Sequence, residues 1–175
     1  MTKAPEILII AVSNGENLKL AKNFLKLTQQ QQISAEILDL TTLDLPLFNP
    51  RTQNNNPNTN EINFLSKKME SINKWIICTP EYNGSIPPLL TNLIAWLSVS
   101  EENFRAIFNG RPIAITSFSG GPCLEVLISL RIQLSHLGAQ VIGRQLTSNS
   151  NKPYNDSSLK DILNRLSNTN KLNID

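Results

Sequence analysis

The most constraining feature of the sequence is the uninterrupted apolar run Ile7-Leu8-Ile9-Ile10-Ala11-Val12, which stops abruptly at Ser13-Asn14-Gly15. A β-branched run without polar alternation marks a strand covered on both faces, and such strands belong to parallel sheets layered between helices. Leu18, Ala21, Phe24 or Leu25 and Thr28 follow at helical spacing, and a second apolar segment spans Ala35 to Leu40. The chain therefore opens with one strand–helix–strand unit. The alternation continues with a helix around Ile62 to Ile72, a strand at Trp75 to Cys78, a helix from about Pro87 to Leu97 and a strand at Ile113 to Thr116. Leu127, Leu130, Leu134 and Leu137 make a further helical stripe, Ala139 to Ile142 a short strand, and Leu159, Ile162, Leu163 and Leu166 a final helix. Five strands alternating with five helices describe a doubly wound, three-layer α/β sandwich, for which the Rossmann-like and flavodoxin-like orders are the common ones.

At 175 residues, 40% of them apolar, the chain reads as one domain spanning 1–175, long enough to fold without disulfides or a structural metal. Cys78 and Cys123 lie far apart and show no metal-ligand spacing. They read as buried thiols in a reducing cytoplasm, in a chain with no signal-like opening. No apolar stretch approaches the ~20 residues that span a bilayer. The net charge of +2 comes without clustered cations beyond pairs such as Lys67 and Lys68, which argues against a nucleic-acid partner. The Asn54-Asn55-Asn56 run, with Asn58 and Asn60 after it, reads as a solvated connection inside the domain.

Sheets of this class bind ligands outside the carboxyl ends of their strands, so the loops after the first, third and fourth strands are the candidate site. They read Ser13-Asn14-Gly15, Thr79-Pro80-Glu81-Tyr82-Asn83-Gly84-Ser85-Ile86-Pro87 and Ser117-Phe118-Ser119-Gly120-Gly121-Pro122. Pro80 and Pro87 stiffen the second loop, and Gly84 leaves backbone amides uncovered between them. Tyr82 offers an aromatic face and Asn83 a donor–acceptor pair, a set suited to a flat heteroaromatic ring with an imide-like edge. The same residues also describe a proline-stiffened turn in which Tyr82 merely packs. Ser85 is in addition placed to N-cap the helix that Pro87 begins. No Ser/His/Asp set, paired-carboxylate motif or phosphate-binding GxxxxGK[ST] sequence occupies these loops.

Pro80-Glu81-Tyr82-Asn83-Gly84-Ser85-Ile86-Pro87, with Leu90, Asn92, Ile94, Trp96 and Leu97-Ser98 beyond it, closely resembles the signature of the NADPH-dependent FMN reductase family. Asp39-Leu40, Leu45-Pro46-Leu47-Phe48, Gly110-Arg111-Pro112, Ser119-Gly120-Gly121 and Leu137-Gly138-Ala139 resemble further family landmarks, in family order. The resemblance implies a flavodoxin-like fold with a five-stranded parallel sheet of order 2-1-3-4-5. It implies bound FMN, NADPH or NADH as donor, a small acceptor such as a free flavin, quinone or azo compound, and a homodimer or homotetramer. It places Pro80, Glu81, Tyr82, Asn83, Gly84 and Ser85 beside the flavin ring, Ser117, Ser119, Gly120 and Gly121 along its edge, and Ser13, Asn14, Gly15 and Asn17 at the phosphate.

The first loop departs from the family pattern Gly-Ser-x-Arg-x-x-Ser-x-Asn-x-x-Leu-Ala. Ser13, Asn17, Leu20 and Ala21 match, but the loop is three residues shorter, the arginine is absent and Gly15 replaces the second serine. A helix N-terminus still supplies free amides to an anion. Glu16 is the opposing feature, because a carboxylate about 5 Å from a phosphate would repel it by about 3 kcal/mol per unit charge at an effective dielectric of ~20. Turned along the helix, the same carboxylate is ordinary first-turn chemistry. Two further readings follow from the shortened loop and the residue types: a non-enzymatic flavodoxin-fold binding protein that has lost the cofactor, and a one-electron carrier, against which the slightly basic charge argues. His136 reads as a dipole partner at a helix end, and Trp96 as core or subunit interface.

Overall fold

The computed structural model describes residues 4–55, 59–99 and 104–174. Strand β1 (Ile7–Ala11) pairs in parallel with β2 (Ala35–Asp39) on one side and β3 (Lys74–Thr79) on the other. Next to β3 runs β4 (Pro112–Phe118), whose first residues pair with β5 (Gln140–Val141) and whose last pair with β6 (Leu146–Ser148). The order is β2-β1-β3-β4-β5, as the sequence predicts, with all pairings parallel. The sixth strand is an addition. β5 and β6 together border β4 as one interrupted strand, and Arg131 closes the interruption by donating to the carbonyls of Val141 and Ile142 and to the side chain of Gln145. Backbone carbonyls released from a ladder require such partners.

Helix α1 (Glu16–Gln30) forms because Leu20, Ala21, Phe24, Leu27 and Thr28 fall on one face. That face joins α6 (Asp156–Ser167) over Ile7, Ile9, Ala11, Ile76, Cys78 and Ala114 of the sheet. The alternate strand residues Leu8, Ile10, Trp75, Ile77, Ile113 and Ile115 face α3 (Thr59–Ser71), α4 (Pro88–Ser98) and α5 (Leu124–His136). Both faces of the sheet are thus covered, which is what the unbroken apolar strands require. The Cys78 thiol is enclosed in the first of these layers, and burial pushes it up to about 12, so it is an inert packing group. Cys123 is buried too.

The described part of the asparagine-rich stretch before residue 56 is helical rather than an irregular connection. Residues Pro50–Asn55 form a short helix, α2, with proline at its first position. Asn49 caps it, its Oδ1 accepting from the amides of Arg51 and Thr52 at 2.9 and 3.0 Å. Asn56 and Asn58 lie outside the described residues. Among the described residues, no helix is long and apolar enough to cross a membrane and no side-chain cluster has the make-up of a metal site.

Candidate functional site

The carboxyl ends of β1, β3 and β4 lie side by side, with Ala11 opposite Cys78 and Cys78 opposite Thr116. The three loops singled out in the sequence therefore leave one edge of the sheet together. In the first loop, Gly15 is the N-cap of α1 and makes no side-chain capping bond. The first amides of the helix, which have no intrahelical acceptor, are thereby left to a ligand or water. A Cβ built on Gly15 meets nothing within 4 Å, so the space over this turn is open. Glu16 does not aim at it. Its carboxylate accepts from Lys19 Nζ at 2.6 Å along the helix surface, and that hydrogen bond holds the lysine above its ordinary pKa. Replacing Glu16 by glutamine is accordingly expected to change the affinity for FMN, the cofactor that the family resemblance implies, by less than about twofold at low salt, as measured by fluorescence titration, because the exposed pair already neutralises the charge.

Asn17 is buried and its amide is fully engaged: Oδ1 accepts from Phe118 N at 3.0 Å, and Nδ2 donates to Phe118 O at 2.9 Å and to Ser13 Oγ at 3.4 Å. The side chain ties the first loop to the end of β4, leaving only its backbone amide for an anion.

The second loop is a tight hairpin. Tyr82 and Ser85 form an antiparallel bridge, with Tyr82 N donating to Ser85 O at 3.1 Å and Ser85 N to Tyr82 O at 3.0 Å. Asn83 and Gly84 between them have φ of 52° and 66°. Two successive left-handed residues define the primed turn that an Asn-Gly pair favours. Tyr82 is 52% exposed, so it is not a core residue. Ser85, by contrast, caps nothing. Pro87, with φ −59° and ψ 143°, is the N-cap of α4 and makes no side-chain bond, and the helix begins only at Pro88. The residue before a proline is driven out of the helical region, which moves the start of the helix beyond the reach of the Ser85 side chain.

In the third loop, Ser117 Oγ is buried and has no hydrogen-bond partner among the described residues. Ser119 N donates to Ser148 O at 3.1 Å, and its Oγ donates to Glu81 O at 3.2 Å. Gly120 has open space where a Cβ would stand. Asn149, not singled out in the sequence, braces this loop by donating from Nδ2 to Gly121 O at 3.2 Å. Its only sequence signal is membership of another Asn/Ser stretch. Asn92, named in the sequence only as part of the family signature, is a second clamp: it accepts from Phe48 N at 2.8 Å and donates to Pro46 O at 3.1 Å, fastening the segment after β2 to α4. Trp96, for which the sequence leaves core and subunit interface open, is buried within the chain and adds a bond to Pro46 O at 2.7 Å. Beside the hairpin this leaves an open apolar groove of about 500 Å³, walled by Leu47, Phe48, Ile86, Pro88 and Ala95.

A donor-lined turn without side-chain charge, a flat glycine-bearing hairpin and a second glycine loop, all on neighbouring strands, suit a long ligand with an anionic tail and a planar head. The model of the NADPH-dependent FMN reductase family matches residues 5–152. The chain belongs to this family. Its place there brings FMN as the family's cofactor and NAD(P)H as its electron donor, and the observed site fits FMN. The uncapped amides of α1 suit the phosphate, and the unpartnered Ser117 hydroxyl and the open faces of Gly84 and Gly120 leave polar capacity and space for the rest. An NADPH azoreductase of Bacillus sp. (strain OY1-2) is 28% identical over 118 residues, covering 66% of this chain and 61% of that protein. The chain thus spans about three fifths of the length of that curated relative. Among solved structures, FerB, a flavoenzyme NAD(P)H:(acceptor) oxidoreductase from Paracoccus denitrificans, superposes with a TM-score of 0.69 at 19% identity, covering 94% of this chain and 97% of that one. A flavodoxin from the domain Archaea superposes at 0.59 with 10% identity and 91% of each chain covered, which marks the fold as flavodoxin-like.

Proposed function

We propose that this chain is a cytoplasmic FMN-dependent oxidoreductase that takes reducing equivalents from NADPH or NADH and delivers them to a small, flat acceptor such as a free flavin, a quinone or an azo compound. The observation that carries the proposal is the meeting of an uncapped helix N-terminus, an exposed Asn-Gly hairpin and a Gly-Gly loop at one sheet edge in a chain of this family. Backbone amides from Ser13 to Asn17 hold the phosphate, aided by the dipole of α1 in place of the missing arginine. The Pro80–Ser85 segment presents Tyr82 and the amides of Asn83 and Gly84 to the ring, and Ser117, Ser119, Gly120 and Gly121 line its other edge. When bound, FMN supplies the hydride-accepting and hydride-donating chemistry. The protein orients it, offers amide donors where negative charge collects on reduction, and leaves one side open for donor and acceptor in turn. The apolar groove at Leu47, Phe48 and Ile86 adjoins that opening, which supports an aromatic rather than an ionic acceptor.

Self-association into a dimer is part of the proposal. Leu124, Ile128 and Ile132 are 47, 48 and 66% exposed along one side of α5, an apolar stripe of the kind that helix pairing covers. The purified protein is expected to be yellow, to bleach on addition of NADPH without air, and to recolour with a quinone. Colourless protein that takes up no FMN at high micromolar concentration refutes the proposal and favours a cofactor-free binding protein on the same scaffold.

A further inference from the structure

Helix α5 begins in an unusual way. Its N-cap, Cys123, has φ 61° and contributes no side-chain capping bond. The thiol is turned elsewhere, donating to Gly121 O at 3.4 Å and Ser148 O at 3.3 Å. The capping bond comes from a residue 45 positions earlier in the chain: Glu81 Oε2 accepts from Val126 N, in the first turn of α5, at 3.1 Å. An acidic side chain at this end of a helix also meets the positive pole of its dipole. The other carboxylate oxygen of Glu81 lies 3.6 Å from where Gly121 would carry a Cβ, so the loop before α5 packs directly on it. The main-chain oxygen of Glu81 accepts from Ser119 Oγ at 3.2 Å. One residue therefore grips the Ser117–Gly121 loop and the first turn of α5, and the next four residues are the Tyr82–Ser85 hairpin.

We infer that Glu81 is a positioning residue: it is not a ligand of the flavin but the brace that fixes the two ring-binding loops relative to each other before FMN arrives. The inference rests on the functional reading above, in which those two loops hold the ring. Its mechanism is a hydrogen bond of defined reach, so glutamine, which keeps a side-chain acceptor at the same distance, preserves the brace, whereas alanine abolishes it. Asn17 performs the corresponding task between the first loop and Phe118. The three loops are thus tied in series, Asn17 joining the first to the third and Glu81 the third to the second.

The test compares E81A and E81Q with the parent in two measurements. In the apoprotein, amide hydrogen exchange over residues 119–128 is expected to accelerate about tenfold in E81A and to stay within about twofold of the parent in E81Q. In titrations with FMN, Kd is expected to rise about tenfold in E81A, with a shifted absorption band of the bound flavin, and to change less than about twofold in E81Q. E81A behaving like the parent in both measurements overturns the inference. E81Q as impaired as E81A overturns it too, since charge rather than reach would then be responsible. If E81A does not fold, E81D, one methylene shorter, is expected to show the same pattern in smaller amplitude, and parental behaviour of E81D counts against the brace. Failure of the parent itself to bind FMN refutes the functional reading instead, and the exchange measurement then decides the inference alone.

Discussion

Replacing Arg111 by methionine is expected to lower the stability of the fold by about 3 kcal/mol, read as a fall in Tm of about 10 °C. Arg111 is fully buried, and burial lowers its guanidinium to about 10, with the charge of Glu70 acting in the opposite direction. Its Nε donates to Ile107 O at 2.6 Å, Nη1 to Ile72 O, and Nη2 to Glu70 O at 3.2 Å, while the guanidinium carbon lies 4.4 Å from the centre of the Trp75 ring. Two effects compete on substitution. Methionine removes a charge that is costly to enclose, which is stabilising. It also strips donors from three carbonyls, of which, among the described residues, only Ile72 O keeps another, Trp75 Nε1 at 3.1 Å. Orphaning the other two at about 1–3 kcal/mol each, together with loss of the stacking on Trp75, outweighs the relief. Lysine at the same position keeps the charge but concentrates its donors at one point, so R111K is expected to lose about 2 kcal/mol. A Tm for R111M within about 2 °C of the parent would show that Arg111 does not hold the end of α3.

Arg111 also marks the limit of what the sequence conveys. Gly110-Arg111-Pro112 stands out as a landmark before β4, yet two of the three carbonyls that Arg111 binds, those of Ile72 and Glu70, lie some forty residues earlier, and no local pattern encodes them. Asn17 is a parallel case. Its residue type and place are those of an anion ligand, but the amide is taken up by Phe118, 101 residues away. Periodicity and turn chemistry, by contrast, are local properties. They suffice for the alternation of strands and helices, for the covering of both sheet faces and for a turn at Asn83-Gly84, whereas the strand order comes from the family resemblance, because periodicity alone fits the Rossmann-like order as well. Strand β6 escapes because three residues are too few to display a period, and Asn149 because it looks like its solvated neighbours. The carboxylate of Glu81 could be located in the right loop from sequence; that it faces α5 depends on the packing of β3 beside β4.

The hairpin after β3 separates binding from folding more cleanly than any buried position does. Gly84 has φ 66°, and a Cβ placed there meets nothing within 4 Å, so a substitution is opposed by the backbone conformation alone. For a residue with a side chain that conformation costs about 1–2 kcal/mol, and β-branching raises the penalty. Gly84→Val is therefore expected to open the turn and break the Tyr82–Ser85 bridge. The hairpin is exposed, and the core beneath it does not depend on the bridge, so Tm is expected to stay within about 2 °C of the parent. FMN affinity is expected to fall at least tenfold, because the amides of Asn83 and Gly84 and the face of Tyr82 lose the common surface that the primed turn gives them. Gly84→Asn is the discriminating control: asparagine tolerates left-handed backbone, and this variant is expected to bind FMN within about threefold of the parent. Parental affinity in Gly84→Val, measured on protein of unchanged Tm, would remove the hairpin from the flavin site, and the ring would then have to lie against the Ser117–Gly121 loop alone.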